Sequence, residues 1–432
     1  MAYRFRGREG LCITGSRRAV ITVREHLCRI VDCVQRLPPV GLDLLDAHGC
    51  VLAQNVTSGV ALPGFRNSAM DGYAVHAGDL VAASPTAPVS LPVVGDIAAG
   101  NVEQLSLAPG QCMRIMTGAP MPDGADAVVP IEGTDGGLLT VTVSALVSPG
   151  QHVRRAGEDV AVGDAVMVDG TRLGPAQIAL LAAVGTGQVR VTPKPRVVVV
   201  STGDELIEPG TRPGFGEVVD SNGLMLTAAV RELDCTALRV RWVPDDAQRF
   251  LSTIHTQLLG ADAVITTGGV SMGAYDTVKE VLSSVATMRF DKVAMQPGMP
   301  QGFGVLGGRR VPVFTLPGNP VSAMVSFEVF VAPALRLMAG RPQQEAAMVP
   351  AVAAHDWAAP AGKVQFARVV LSHASSLDGC EYTAALAGLQ GSHALGSLAV
   401  ANALAVIPAE VTVVRAGDQV RCHLLGPILE AS

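Results

Sequence analysis

Ala263-Val264-Ile265-Thr266-Thr267-Gly268-Gly269-Val270-Ser271-Met272-Gly273-Ala274-Tyr275-Asp276 is the stretch whose reading decides the fold. A buried-strand pattern runs into a glycine loop and ends on a carboxylate. Glycines let backbone N–H groups crowd against a bound anion, Thr266, Thr267 and Ser271 add hydroxyl donors, and Asp276 offers a hard oxygen to a divalent cation beside that anion. Glycine-rich strand-to-helix turns also serve as plain connections, so the loop alone leaves both readings open.

The same punctuation recurs at neighbouring apolar runs. Arg196 to Val200 empties into Ser201-Thr202-Gly203-Asp204-Glu205, and Val311 to Leu316 empties into Pro317-Gly318-Asn319-Pro320. Three short β-branched runs ending in turn-forming residues predict a parallel sheet with ligand loops at its carboxyl edge. Helix-like segments at Ala247 to Leu259 and Val278 to Val285 lie between them, so residues 194–341 read as one doubly wound α/β domain.

Composition bounds the rest. A chain of 432 residues holds roughly three or more domains at about 100–200 residues each. With 49% hydrophobic and 16% charged residues the chain reads as folded throughout. Only 4% aromatics and a net charge of -6 argue against nucleic acid as a partner. The eight cysteines contain no C-x-x-C pair and fit reduced core thiols. No signal-type apolar region opens the chain and no apolar run approaches the ~20 residues of a membrane span, so a cytoplasmic protein without a membrane partner is expected.

Upstream, Thr22-Val23-Arg24-Glu25 is a capping-box pattern that opens a helix stopped at Pro38 and Pro39, and a second helix is expected over about Leu42 to Leu52. Short β-like runs at Val89 to Val94, Gln111 to Met116, Ala127 to Pro130 and Leu138 to Val143 predict a small all-β domain over 62–156. A helix at Gly174-Pro175 and a strand at Gln188 to Val191 would return to the N-terminal helices. That makes 17–61 with 157–193 a discontinuous, elongated helical region into which the β domain is inserted. Alternating stretches at Val364 to Leu371, Leu404 to Ile407 and Val411 to Val414 predict a C-terminal β-barrel-like domain over 348–432. The fold class is therefore α/β multidomain.

Carboxylates beside the proposed loops are Asp204, Glu205, Asp245, Asp246 and Asp276, hard ligands suited to Mg²⁺ held between protein and phosphate. Pro244-Asp245-Asp246 is also an ordinary helix start, in which one aspartate is only an N-cap. Lys292 and Arg368 are isolated cations for which surface snorkelling is the plain explanation. His393 reads as a loop residue.

Taken together, Ser68-Ala69-Met70-Asp71-Gly72-Tyr73-Ala74, Met116-Thr117-Gly118-Ala119-Pro120, Arg154-Arg155-Ala156-Gly157-Glu158-Asp159, Ser201 to Leu206, Ser221-Asn222-Gly223, Thr267 to Ser271 and Leu316 to Ala323 resemble the signatures of the MoeA family, the molybdopterin molybdenumtransferases, to which the gephyrin E domain belongs. The resemblance spans about Thr22 to Leu425. It implies four domains, a homodimer with a cleft shared between subunits, and contact with a molybdopterin adenylyltransferase and with molybdoenzymes. It implies Mg²⁺-aided conversion of adenylylated molybdopterin and molybdate to molybdenum cofactor with release of AMP. It also implies roles: Asp71, Thr117, Asp159, Glu205, Asp245, Asp276 and Lys292 would be catalytic, with Glu205, Asp245 and Asp276 on the metal. Thr202, Gly203, Gly268, Gly269, Ser271, Pro317, Gly318, Asn319, Pro320, Arg368 and Ser392 would bind substrate, Arg368 and Lys292 by neutralising oxyanions.

The chain departs from the family pattern where relatives often carry lysines in a Lys-Pro-Gly-Lys-Pro setting; here those places are Gln296 and Met299. Ala274 replaces a common glutamate. A catalytically weakened paralogue that binds or scaffolds molybdopterin is therefore the alternative. An adenylyltransferase acting one step earlier is disfavoured by the extra domains.

Overall fold

The computed structural model describes residues 20–243, 246–268, 281–282, 287–341, 348–373 and 382–428. Asp245, Gly269, Ser271, Ala274, Asp276 and most of the segment Val278 to Val285 lie outside them. The chain divides into two compact units, one of residues Pro39–Val191 and one that runs to Pro38 and resumes at Thr192.

In the Pro39–Val191 unit, five strands form one sheet, Ala127–Pro130, Gly72–Val75, Cys112–Ile115, Val89–Ile97 and Thr140–Val143 in spatial order. Its two faces bury separate clusters, one around Tyr73, Leu80 and Val141 and one around Ile97, Ile115 and Val128. This is the expected β domain. Flanking it, Val40–Asp43 and Val51–Leu52 pair on either side of Gln188–Thr192, so segments on both sides of the β domain meet. The helix expected over Leu42 to Leu52 is instead two strands joined by a turn. Leu42 and Leu44 pack on a core with Leu52, Val189 and Leu181 of the helix α2 (Pro175–Ala183), and a strand edge offered by Gln188–Thr192 satisfies their backbone better than an isolated short helix would.

The other unit opens with α1 (Val23–Cys33), whose Thr22 hydroxyl accepts from the Glu25 amide while the Glu25 carboxylate accepts from the Thr22 amide. Its buried Ile30 and the following Val34 join the core beneath the α/β sheet with Val199, Leu226 and Phe330. The N-terminal helix thus packs on the α/β body, because its apolar face is matched there.

The α/β sheet is built from β1 (Arg196–Thr202), β4 (Thr236–Val243), β5 (Ala263–Thr267), β8 (Pro300–Leu306), β9 (Val311–Leu316) and β6 (Arg289–Lys292), in the order β4-β1-β5-β9-β8-β6. The first four are parallel, and β8 and β6 add an antiparallel edge. A small ribbon of β2 (Leu206–Ile207) and β3 (Val218–Val219) follows β1. Helix α3 (Ser221–Glu232) packs on one face and α4 (Ala247–Leu258) on the other. From β1 the chain passes through α3 to β4 on one side, then through α4 to β5 on the other. The winding therefore reverses between β1 and β5, and the carboxyl ends of those strands flank a crevice.

After β9, α5 (Pro320–Ser326) continues helically to Met338. This 19-residue run is apolar enough to cross a membrane by composition, but 67% of it is buried, as a core helix requires. Beyond it, β10 (Met348–Ala353), β11 (Val364–His373), β12 (Tyr382–Leu386), β13 (Ala403–Ile407) and β14 (Gln419–Leu424) close into a five-stranded barrel, since β11 pairs with both β12 and β13. One more strand, β7 (Met295–Gln296), joins β11 in parallel, with Gln296 opposite Gln365. That pairing ties the barrel to the edge of the α/β sheet.

Candidate active site

A cleft of about 620 Å³ opens at the carboxyl edge of the sheet. Glu205 lines it from the loop after β1; Pro317, Gly318, Asn319 and Ser322 line it from the loop after β9 and the start of α5. The segment from Met295 to Pro300 forms another wall. Lys363, Gln390, Gly391 and Ser392 come from the barrel. Lys363 and Glu205 are the cation and the carboxylate of this lining.

Close backbone approach explains the glycines. At Gly203, φ is +149°, and a Cβ would stand 2.6 Å from Oε2 of Glu205, so the Glu205 carboxylate folds over a residue that must lack a side chain. At Gly268, φ is +97° and a Cβ would meet the Thr202 carbonyl oxygen at 2.5 Å. Thr202 and Gly268 thus sit back to back, with the Thr202 hydroxyl donating to the Thr267 carbonyl at 3.3 Å. Asn222, in the first turn of α3, joins the loops: its Nδ2 donates to Thr267 Oγ1 at 3.0 Å and to the Gly318 carbonyl at 2.6 Å. Asn319 Nδ2 donates to Ser392 Oγ at 2.9 Å, linking the sheet's loop to the barrel.

The structure thus brings Glu205, Gly318, Asn319 and Ser392 together, with Gly203 against Glu205. Thr202 is buried beneath, Pro317 is a largely buried member of the lining, and Pro320 is the first residue of α5. Lys292 ends β6 as an exposed residue and is not among those lining the cleft.

Arg368 is a correction. Its side chain is fully buried: Nε donates to Ser397 Oγ at 2.9 Å and Nη2 to the carbonyls of Leu389 at 2.7 Å and Gly391 at 3.2 Å. Burial lowers its pKa below the usual arginine range. The Arg368 backbone N–H also donates to Gln390 Oε1 at 2.9 Å. The guanidinium, held through Nε and Nη2, shapes the Gln390-Gly391-Ser392 wall, while its buried Nη1 has no protein partner among the described residues. Snorkelling is excluded.

Lys363 is the residue sequence reasoning missed. It follows the Gly362 turn and directly precedes Val364, the register partner of Met295, and only that long-range pairing places it in the same wall as Gln296. No local pattern announces such a contact. Asn222 does carry a sequence signal, since it stands inside Ser221-Asn222-Gly223, but its link to Thr267 and Gly318 is visible only in the fold.

Asp246 is an N-cap, accepting from the Arg249 amide at 2.7 Å, which fulfils the plain reading of the aspartate pair. No cluster of three or more metal-ligating side chains exists among the described residues. Glu205 alone among them offers a carboxylate to the cleft. One such oxygen donor fits Mg²⁺, which commonly takes one or two carboxylates and completes its shell with phosphate and water.

In the other unit, Asp71 Oδ1 accepts from both the Thr117 amide at 2.7 Å and the Thr117 hydroxyl at 2.9 Å. These bonds lower the Asp71 pKa, holding it as a carboxylate. Asp159 is exposed in a turn pinned by its amide to the Leu62 carbonyl at 3.0 Å.

Comparison with known proteins settles the family. Residues 21–185 match the MoeA N-terminal region (domain I and II), 198–337 a probable molybdopterin binding domain, and 350–425 the MoeA C-terminal region (domain IV). Molybdopterin molybdenumtransferase 2 of Mycobacterium tuberculosis is 44% identical over 406 residues, covering 93% of this chain and 98% of the relative. The chain belongs to the MoeA family of molybdopterin molybdenumtransferases. The Haemophilus influenzae molybdopterin molybdenumtransferase is 35% identical, covering 89% of this chain and 94% of the relative. Among solved structures, the molybdopterin biosynthesis MoeA protein of Pyrococcus horikoshii superposes with a TM-score of 0.76 at 30% identity, covering 94% of this chain and 99% of that one. Membership makes the chain an enzyme of molybdenum cofactor biosynthesis.

Proposed function

We propose that the cleft binds adenylylated molybdopterin and molybdate and transfers molybdenum to the pterin dithiolene with release of AMP. The carrying observation is the convergence of Glu205, Asn319, Ser392 and Lys363 on one cleft at the switch point of the sheet, where anionic ligands of such folds bind. Dithiolene sulfurs are soft ligands that supply affinity for molybdenum themselves. The protein has only to position both substrates and stabilise the leaving phosphate. Lys363 attracts the oxyanion, and Ser392, with its hydroxyl in the Asn319 bond, orients it. Glu205 would hold Mg²⁺, with Asp245 and Asp276 proposed beside it, and the ion would offset phosphate charge. The test is AMP release from adenylylated molybdopterin with and without molybdate. Molybdate-dependent release supports the reading, and none under any divalent ion would overturn it.

Homodimerisation belongs to the same proposal, with Asp71, Thr117 and Asp159 supplied to the cleft by a second copy. Mixing Asp71→Ala subunits with Glu205→Ala subunits should then restore some turnover. No recovery in verified heterodimers would refute the shared site.

A second reading, a molybdopterin-binding protein with weak turnover, is favoured by Gln296 and Met299, two uncharged residues in the cleft wall. It predicts pterin binding without AMP release.

A further inference from the structure

Arg239, on β4, lies outside the cleft and outside every motif named above. Its guanidinium is forked between two carboxylates. Nε and Nη2 donate to Asp220 Oδ2 at 3.2 and 2.7 Å, and Nη1 and Nη2 donate to the two oxygens of Glu208 at 3.0 and 3.1 Å. Burial works against its charge, but the hydrogen bonds to Glu208 and Asp220 more than offset it, and its pKa lies above the usual arginine range.

What those carboxylates do gives the cluster its meaning. Glu208 immediately follows β2 and Asp220 immediately follows β3. Within that ribbon the Val218 amide donates to the Glu205 carbonyl at 2.8 Å, and the Asp220 amide to the Ile207 carbonyl at 2.9 Å. Asp220, 1% exposed, also accepts from Ser201 Oγ at 2.9 Å and from the Gly223 amide at 2.8 Å, capping α3. Arg239 is the register partner of Val199 on β1, the strand that runs into Gly203 and Glu205. The segment from Thr202 to Glu208 therefore leaves β1 and is fastened at its far end to the strand beside β1.

We propose that Arg239 is a positioning residue for the cleft: by clamping Glu208 to Asp220 it fixes the backbone that carries Glu205. The residues 209–217 that join β2 to β3, including the wholly exposed Phe215, can then move without transmitting that motion to Glu205. A guanidinium that holds both oxygens of Glu208 and closes with two donors on Asp220 Oδ2 suits this task, since a single ammonium cannot hold two carboxylates in fixed planes. The catalytic part of the inference rests on the proposed function; the clamp itself does not.

The test uses Glu208→Ala, which opens one side of the clamp and leaves the buried Asp220 contacts in place, alongside Arg239→Lys. Hydrogen exchange of the Val218 and Asp220 amides should accelerate about tenfold or more in both variants, while exchange in β1 stays unchanged. Unaltered exchange at Val218 would overturn the clamp. Turnover should fall about tenfold in Glu208→Ala, yet less than twofold when the same change is made on a Glu205→Gln background, because coupled residues lose one function once. Equal losses on both backgrounds would show general damage and overturn the positioning role. Absence of turnover in the unaltered protein would instead refute the proposed function and leave the exchange result to judge the clamp.

Discussion

Introducing Met299→Lys into this cleft tests its charge balance directly. Met299 and Gln296 both line the wall, and among the described residues of the lining Lys363 and Glu205 carry one charge of each sign. A sphere of the cleft's volume, about 620 Å³, has a radius of about 5 Å, which sets the distance from a wall ammonium to a centrally bound anion. For a dianion at roughly 5 Å in a water-filled opening, Coulomb's law gives about 1.7 kcal/mol. Screening at physiological ionic strength, with a Debye length of about 8 Å, reduces this to about 1 kcal/mol, or roughly fivefold in affinity. Near 0.5 M salt the Debye length is about 4 Å and the gain shrinks to roughly twofold.

The assay is a molybdate titration of cofactor formation at both salt concentrations for the unaltered protein, Met299→Lys and Met299→Lys with Gln296→Lys. Half-saturation should fall about fivefold in the single variant and further in the double, with both gains contracting at high salt. Lys363→Ala should shift it about fivefold the other way. If none of the three moves half-saturation, the charge of this wall does not govern molybdate capture and the reasoning fails. Tighter anion binding by the added lysines without any turnover would favour the binding paralogue.

Other expectations follow from local geometry. Gly203→Ala should lower the unfolding midpoint, because φ there is +149°, and should depress turnover of the folded protein about tenfold or more, because the new Cβ displaces the Glu205 carboxylate; unchanged turnover would separate Glu205 from the chemistry. Arg368→Met should lower stability in urea by about 3 kcal/mol, since two carbonyls and Ser397 Oγ lose buried donors, and an unchanged midpoint would contradict the assigned bonds. Asp262 is held below the usual carboxylate range although burial alone would raise it, because Arg196 and Arg309 bind it. Its contribution is present above the unfolded value of about 3.9 and is lost as pH falls through the lower folded value, so Asp262→Asn should flatten the stability profile in that acid window. Burial pushes the thiols of Cys112 and Cys235 up to about 11 and about 12, so an alkylating reagent near pH 8 should label exposed Cys33 first and those two only on unfolding.

The parallel sheet was legible because each strand is written locally: Arg196 to Val200, Ala263 to Thr267 and Val311 to Leu316 are β-branched runs with glycine or proline at their ends. The capping box at Thr22 and the strand at Ala127–Pro130 were legible for the same reason. Leu42 to Leu52 was misread because its leucines sit at a spacing that suits a helix, while the decisive influence was a strand edge more than 130 residues away at Gln188–Thr192. Arg368 illustrates a different limit. A lone arginine in an alternating strand gives no sign of whether its guanidinium turns outward or inward to Leu389 and Gly391, because the choice depends on whether buried carbonyls await it.

These limits share a cause that also bears on the site. The loops after β1, β5 and β9 carry motif residues whose roles depend on backbone approach, and glycine records such approach in the sequence itself, as Gly203 and Gly268 do. The barrel wall is different. Lys363 faces the cleft through the pairing of Met295 with Val364, and Ser392 is held by Asn319 from across the opening. Neither depends on the residue types beside it in the chain. The cation among the described lining residues therefore comes from the part of the site that sequence records least, and Gln296, Met299 and Lys363 have to be judged together. On the proposed function, Gln296 on one strand and Lys363 beside its neighbour face the same anion, so the anion affinity of the cleft would be a property of the β7–β11 pair and not of either segment alone.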